Sequence, residues 1–107
     1  MSLDVYLTAV RTTEVYSRNI THNLNKMAME AGIYEALWRP EEINVTTAEQ
    51  LVPLLETGLE TLRADPERFK EFNAPNGWGM YDNLIDFVED YLEACKENPD
   101  AEVHACR

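Results

Sequence analysis

Apolar and polar residues alternate near the start of the chain and again at its end, a pattern typical of β-strands. Residues 4–10 alternate in character and are rich in β-branched and aromatic types, and residues 14–17 form a second short extended run. Residues 101–106 alternate small or apolar residues with polar ones, which predicts a closing strand beside the first. We therefore expect a small antiparallel sheet that joins the two ends of the chain.

Between these ends, apolar residues recur at helical spacing. Their period predicts a first helix over 20–31 that stops at Gly32 and resumes over 34–38. The segment 73–79 concentrates asparagine, proline and glycine and predicts a loop. Directly after this loop begins the most regular helical pattern of the chain, which ends at Asn98.

The middle of the chain carries two helix-start signals. Thr46 and Glu49 have the spacing of a capping box, and the helix that follows contains Pro53, which should kink it or mark a restart. The segment 65–67 (Asp-Pro-Glu) predicts another start, because a side-chain cap precedes a proline. That short helix should bury Phe69 and Phe72. The expected fold is therefore one α+β domain over 1–107, with three to four helices packed on the small antiparallel sheet.

Composition and charge narrow the classes of function. The chain has 107 residues and a formal net charge of -11, which opposes direct binding to a nucleic-acid backbone. Its apolar runs are too short to span a membrane, and its start lacks the pattern of a secretory signal, so we expect a cytoplasmic protein. Cys95 and Cys106 are then predicted to be free thiols. A short sheet with an exposed edge favours homo-oligomer formation as one hypothesis.

A polar cluster lies near the predicted start of the first helix. Helical offsets place Asn19, His22, Asn23 and Lys26 on one face, with Asn19 or Thr21 as the cap. Free backbone donors at a helix start favour an anionic or carbonyl-bearing ligand. The alternative interpretation is an ordinary solvated helix face.

The glycine-rich loop carries a tryptophan. Gly77 and Gly79 flank Trp78, so the indole either sits on a mobile turn that stacks on a planar ligand, or packs on Tyr81 as a buried anchor. The loop lacks the spacing of a phosphate-binding loop. The leading hypothesis is a non-enzymatic pocket for a small polar or nucleotide-like ligand, with no cofactor. Its residues are Asn19, Thr21, His22, Asn23, Trp78 and Tyr81.

Two other hypotheses remain open. The last helix has an acidic face that would dock on a basic groove of a host or defence protein. The residues of that face include Asp82, Asp86, Glu89, Asp90 and Glu93. The other hypothesis is a small metal-dependent or cysteine hydrolase that uses His104 and Cys106, which point to one side of a strand, together with His22. No catalytic or metal-binding spacing supports it.

Several of these motifs resemble small bacteriophage-encoded proteins of unassigned function. The resemblance rests on residues 19–24 (Asn-Ile-Thr-His-Asn-Leu), on 31–34 with 37–40, and on 77–79 (Gly-Trp-Gly) with Tyr81, and it covers most of the chain. It implies an accessory phage protein that acts inside the bacterial cell, and it supplies no catalytic residues. By analogy, such proteins bind a host protein or sequester a signalling nucleotide made by a defence system.

Overall fold

The structure is a computed structural model that describes residues 2–9 and 13–107. Over these residues it contains three strands, five α-helices and two short 3-10 helices. Their bounds are β1 (Ser2–Ala9), β2 (Thr13–Thr21), a 3-10 turn (His22–Leu24), α1 (Asn25–Glu30), α2 (Tyr34–Trp38), a second 3-10 turn (Pro40–Ile43), α3 (Ala48–Ala64), α4 (Pro66–Lys70), α5 (Tyr81–Glu97) and β3 (Glu102–Cys106). The expected α+β fold is confirmed.

The sheet is antiparallel and has the strand order β2-β1-β3, so β1 lies between the strands from the two ends of the chain. The closing strand therefore pairs with the first, as predicted. β1 begins two residues earlier than expected, and Val10, the predicted last residue, lies outside the described residues. The run predicted over 14–17 is part of a nine-residue strand.

The two faces of the sheet differ in character. On β1, the side chains of Leu3, Val5 and Leu7 are fully buried in the core that the helices cover. The intervening residues lie on the opposite, outer face, since successive side chains of a strand point to opposite sides. In register, Ser2 is opposite Thr21 and Asp4 is opposite Asn19. The outer face at this end of the sheet is therefore polar.

The predicted first helix is wrong over its first five residues. Residues 20–21 end β2, residues 22–24 form the 3-10 turn, and α1 begins only at Asn25. Ile20 is a strand residue that lies opposite Leu3, and its side chain is buried in the core. The helical period and the strand place Ile20 in the core equally well, and pairing with β1 also satisfies its backbone hydrogen bonds. Gly32 does end the helical turn, with φ at +79°.

The two longest helices, α3 and α5, pack against each other and form much of the core. α3 runs without interruption through Pro53, with fully buried Leu51 and Leu55 on either side of it. Of the two predicted alternatives, a kink or a restart, the restart is therefore wrong. α5 buries Phe87 and Tyr91. No helix in the described part of the chain is long and apolar enough to cross a membrane.

Both helix starts predicted in the middle of the chain are present, each with a side-chain cap. Gln50, rather than Glu49, accepts the backbone N–H groups of Thr46 and Thr47 at the start of α3, at 2.7 and 3.1 Å. α4 starts as predicted, with Asp65 accepting the N–H of the third residue beyond it. Of its two phenylalanines, Phe69 is fully buried and Phe72 is partly buried at the edge of the core.

Candidate functional site

The end of β2 and the loop over residues 73–80 are in direct contact. The side-chain amide of Asn23 donates a 2.8 Å hydrogen bond to the carbonyl of Trp78, across 55 positions of sequence. Gly79, with φ at +115°, lies so close that a Cβ built on it would be 2.9 Å from Cβ of Asn23 and 3.5 Å from Cγ2 of Thr21. The two polar motifs singled out in the sequence therefore meet in space.

Hydrogen bonds within the loop fix the backbone around Trp78. The N–H of Trp78 donates to Oδ1 of Asn76 at 2.9 Å, the N–H of Ala74 donates to the carbonyl of Gly79 at 3.1 Å, and the N–H of Gly77 donates to the carbonyl of Ala74 at 3.0 Å. Together with the bond from Asn23, these interactions hold the loop at both ends. The indole is thus carried on a loop whose backbone is anchored by hydrogen bonds.

The indole of Trp78 is 73% exposed, so the interpretation of Trp78 as a buried anchor is wrong. No aromatic ring or cationic side chain among the described residues stacks on it. Two hollows adjoin it. The first, the amide hollow, has a volume of about 510 Å³ and is lined by Ser2, Asn19, Thr21, His22, Asn23 and Trp78. The second, the arginine hollow, has a volume of about 340 Å³ and is lined by Arg18, Asn19, Ile20, Thr21, Gly77, Trp78, Gly79, Asn83 and Phe87.

The polar residues of the amide hollow differ in the interactions that they make. Asn19 is exposed on the outer face, and its side-chain amide makes no hydrogen bond to another described residue, so it is free to bind a ligand. Asn23 positions the loop instead. His22 is half-buried, its ring meets the ring of Trp38 edge-on at 6.2 Å, and its Nε2 is buried with no hydrogen-bond partner in the described part of the chain. His22 therefore forms part of the floor.

Tyr81 does not belong to the site, contrary to the sequence-based hypothesis. It is 7% exposed, and its hydroxyl donates a 2.7 Å hydrogen bond to the carbonyl of Leu62. Leu62 lies in the last turn of α3, where carbonyls lack a partner within the helix. Burial raises the pKa of the Tyr81 phenol. The ring is a structural link between α3 and α5, and it is unavailable for stacking.

In the structure, the predicted polar helix face does not form, and the backbone donors expected to be free at the helix starts are hydrogen-bonded. Asn19 lies in a strand, so it does not share a helix face with Lys26. At the 3-10 turn, Oγ1 of Thr21 accepts the N–H of Asn23 at 3.2 Å. At the start of α5, side-chain oxygens of Asn83 and Asn73 accept the N–H groups of residues 80 and 81 at 3.0 and 2.7 Å. These backbone donors are already used within the protein, which disfavours an anion at either helix start.

Arg18 in the arginine hollow is held by carboxylates from α5. Its guanidinium lies 3.2 Å from Asp86 and 3.2 Å from Asp90, and it sits 5.9 Å from the centre of the Phe87 ring. The neighbouring Tyr16 hydroxyl donates to Asp90 at 2.9 Å, and burial together with that hydrogen bond raises the pKa of Tyr16. The cluster of one cation and two carboxylates carries a net charge of about -1.

The acidic face of α5 is partly neutralised by these contacts. Asp86 and Asp90 pair with Arg18, and Glu89 pairs with Arg63 on α3. Of the five residues in the predicted interaction face, Asp82 and Glu93 make no ion pair with another described residue. The charge available for docking a basic partner is therefore smaller than the sequence suggested.

His104 and Cys106 do lie on one side of β3, but His104 has a structural environment. Its ring stacks on Tyr6 with the centres 4.6 Å apart, and its Nε2 lies 2.9 Å from Oγ1 of Thr8. His104 is opposite Tyr6, whereas Thr21, which precedes His22, is opposite Ser2, and these two positions of β1 are roughly 13 Å apart. No group of three metal-ligating side chains occurs among the described residues.

Both cysteines are free, as the sequence predicted; Cys95 is buried and Cys106 is exposed. Comparison with protein-family models, curated proteins and solved structures found no match for this chain. The fold and the site by themselves define a class: a two-layer α+β domain that presents an anchored, exposed indole between two hollows at one end of its sheet.

Proposed function

We propose that this protein is a non-enzymatic binding protein for a small planar polar ligand, which stacks on Trp78 and forms hydrogen bonds in the amide hollow. The observation that carries the proposal is the exposed indole on an anchored loop. Solvating a large apolar ring is unfavourable, and here the backbone on both sides of it is fixed by hydrogen bonds. A rigid, open aromatic face reduces the entropy lost when a ring stacks on it.

The chemistry of the amide hollow supports a planar polar ligand. Asn19 supplies both donors and an acceptor, and the hydroxyls of Ser2 and Thr21 supply more of both. The volume of the hollow falls in the range of small-molecule sites, which is about 300–1,000 Å³. A nucleobase fits this description, and stacking of a base on an aromatic side chain contributes about 1–3 kcal/mol. In the phage setting that the sequence resembles, such binding would sequester a small polar signal made by a host defence system.

Ligand-induced changes in the fluorescence of Trp78 test the proposal. The chain has two tryptophans, and Trp38 is buried at 2% exposure, so quenching by added ligand reports mainly on Trp78. Adenosine, guanosine, cytidine and cyclic dinucleotides would be titrated against the wild type and the Trp78→Ala variant, with the melting temperature as a second readout. We expect a saturable signal and a rise in melting temperature that the variant loses.

Matched variants separate the site from the general surface. Asn19→Ala should weaken binding about fivefold to tenfold, because it removes hydrogen bonds to the ligand. Ser17→Ala is its control, since Ser17 lies two residues away on the same face of β2 but does not line either hollow. Leu54→Ala, an exposed apolar residue on α3, is the control for Trp78→Ala. Binding that survives Trp78→Ala, or no binding by any planar compound, would refute the proposal.

The alternative function is inhibition of a host or defence protein through the acidic face of α5. The net charge of -11 favours it, and the pairing of Asp86, Glu89 and Asp90 weakens it. A bound protein that dissociates at high salt, and that is lost on reversal of Asp82 and Glu93 to lysine, would support this function over ligand binding.

A further inference from the structure

We propose that the group stacked on Trp78 is a planar cation, specifically a guanidinium. This inference rests on the proposed function, because it assigns the chemical class of the ligand in the same site. The charges around the two hollows and the open face of the indole support this assignment.

Among the described residues, the amide hollow is lined by uncharged polar side chains, by His22 and by the indole, and none of these is a lysine or arginine that would attract an anion. The nearest carboxylate on the sheet is that of Asp4, which lies directly opposite Asn19 on the outer face and is exposed. Asp4 makes no ion pair with any other described residue. Cross-strand partners have Cβ atoms about 5 Å apart, so the Asp4 carboxylate borders the position at which a ligand would meet Asn19.

The arginine hollow does not compensate for this negative charge. Arg18 already pairs with Asp86 and Asp90, so a phosphate approaching it would meet two carboxylates as well as one guanidinium. The backbone donors at the start of α5 are likewise occupied by asparagine side chains. In a chain with a net charge of -11, a phosphate-bearing ligand would be repelled here, and a cation would be attracted.

The indole of Trp78 also favours a cation over an anion. The face of an aromatic ring carries negative potential, and tryptophan attracts cations more strongly than the other aromatic residues do. Cationic side chains of the protein already sit over Phe87, Phe69 and Tyr81, at 5.9, 5.2 and 5.7 Å from the ring centres. The exposed ring of Trp78 has no such partner among the described residues and is open to a cation from outside.

Among cations, a guanidinium fits the hydrogen-bonding groups best. It is flat, so it stacks on the indole, and its five N–H donors lie in the plane of the group. The amide oxygen of Asn19 and the hydroxyl of Thr21 line the hollow and can accept from those donors, and the carboxylate of Asp4 belongs to the residue opposite Asn19 on the neighbouring strand. An ammonium group would lack both the flat face and the in-plane donors.

Isosteric ligands that differ in charge test this inference. Arginine amide and citrulline amide have nearly the same shape, but citrulline carries a neutral urea in place of the guanidinium. Adenosine and AMP provide a second pair, in which the ring is kept and a phosphate is added. Each compound would be titrated by calorimetry and by Trp78 fluorescence into the wild type, Trp78→Ala, Asp4→Asn and the control Asp100→Asn, an exposed aspartate in the turn after α5.

We expect arginine amide to bind at least about fivefold more tightly than citrulline amide, and adenosine more tightly than AMP. Asp4→Asn should weaken the binding of arginine amide about threefold to fivefold and leave adenosine unchanged, whereas Asp100→Asn should change neither. Salt at about 0.5 M should reduce the preference for arginine amide, since charges are then screened over a few ångströms.

Equal binding of arginine and citrulline amides, or tighter binding of AMP than of adenosine, would overturn the inference. If adenosine still bound in a Trp78-dependent manner, the proposed function would stand without it; if no compound bound, the proposed function itself would fail. A matched pair of acetylated tripeptides, Gly-Arg-Gly and Gly-citrulline-Gly, identifies the source of the group. A larger preference in the peptide pair assigns the guanidinium to an arginine of a protein partner, and an equal preference assigns it to a free small molecule.

Discussion

The contact between Gly79 and Asn23 holds the two parts of the candidate site together, and replacing Gly79 by alanine tests it directly. Two costs arise in Gly79→Ala. A φ of +115° lies outside the left-handed region that other residues adopt, and such strain costs about 1–3 kcal/mol. The new methyl carbon would also lie 2.9 Å from Cβ of Asn23, well inside the usual carbon–carbon separation, and overpacking of this kind costs about 1–3 kcal/mol.

Gly77→Ala is the matched control. Its φ is +80°, and a Cβ at that position meets nothing within 4 Å, so only backbone strain of about 1–2 kcal/mol remains. The loss of flexibility in the unfolded chain is the same in both variants and cancels in the comparison. We therefore expect Gly79→Ala to lower the free energy of unfolding by about 2–5 kcal/mol, and to do so by about 1–3 kcal/mol more than Gly77→Ala.

Urea unfolding followed by circular dichroism measures both changes. With a urea dependence of about 2 kcal/mol per molar, the midpoint of Gly79→Ala should fall by about 1–2.5 M. In the double variant Gly79→Ala, Asn23→Gly, the clashing Cβ is absent, so the two substitutions should couple favourably by about 1 kcal/mol. Equal losses for Gly77→Ala and Gly79→Ala, or no coupling with Asn23, would refute the close approach of the loop to the end of β2.

Two further predictions concern the core. Tyr81→Phe should lower the free energy of unfolding by about 1–2 kcal/mol, because it leaves the buried carbonyl of Leu62 without a donor, and it should leave ligand binding at Trp78 intact; a loss of binding with unchanged stability would return Tyr81 to the site. Burial raises the pKa of Cys95 to about 12, so at pH 8 a thiol reagent should label only exposed Cys106 in the native protein and both cysteines in urea. Because the native pKa of Cys95 is raised, its contribution to the free energy of unfolding should be present at neutral pH and lost between about pH 9 and 12. Cys95→Ala should therefore flatten the decrease in the free energy of unfolding over that pH range. Rapid labelling of Cys95 in the native protein would contradict both expectations.

The local pattern of apolar and polar residues predicted most of the secondary structure. It failed where one pattern fits both a helix and a strand. The helix from Tyr81 was predictable because its apolar residues follow a 3.6-residue period over many turns. The segment around Ile20 was not, since a buried residue at that position fits a helix start and a strand end alike. The pairing partner on β1, which pattern alone does not reveal, decided in favour of the strand.

The sequence predicted which residues line the candidate site better than it predicted what each residue does there. Asn19, Thr21, His22, Asn23 and Trp78 do line one hollow, although Trp78 lies 55 positions beyond Asn23 in the chain. Their residue types and the nearby turns were the available signal. No local feature indicated that Asn23 would position the loop, or that Asp4 would lie opposite Asn19 on the neighbouring strand.

The sequence by itself determined the α+β class, the antiparallel pairing of the two chain ends and the long amphipathic helix, because these depend on periodicity and on local backbone preference. Only the tertiary structure decided that Tyr81 is buried and Trp78 is exposed. Tyr81 finds a carbonyl on α3 for its hydroxyl, whereas the loop that carries Trp78 is fixed by its backbone to Asn23. Both outcomes depend on hydrogen bonds between residues distant in sequence, which form only once the helices have packed on the sheet.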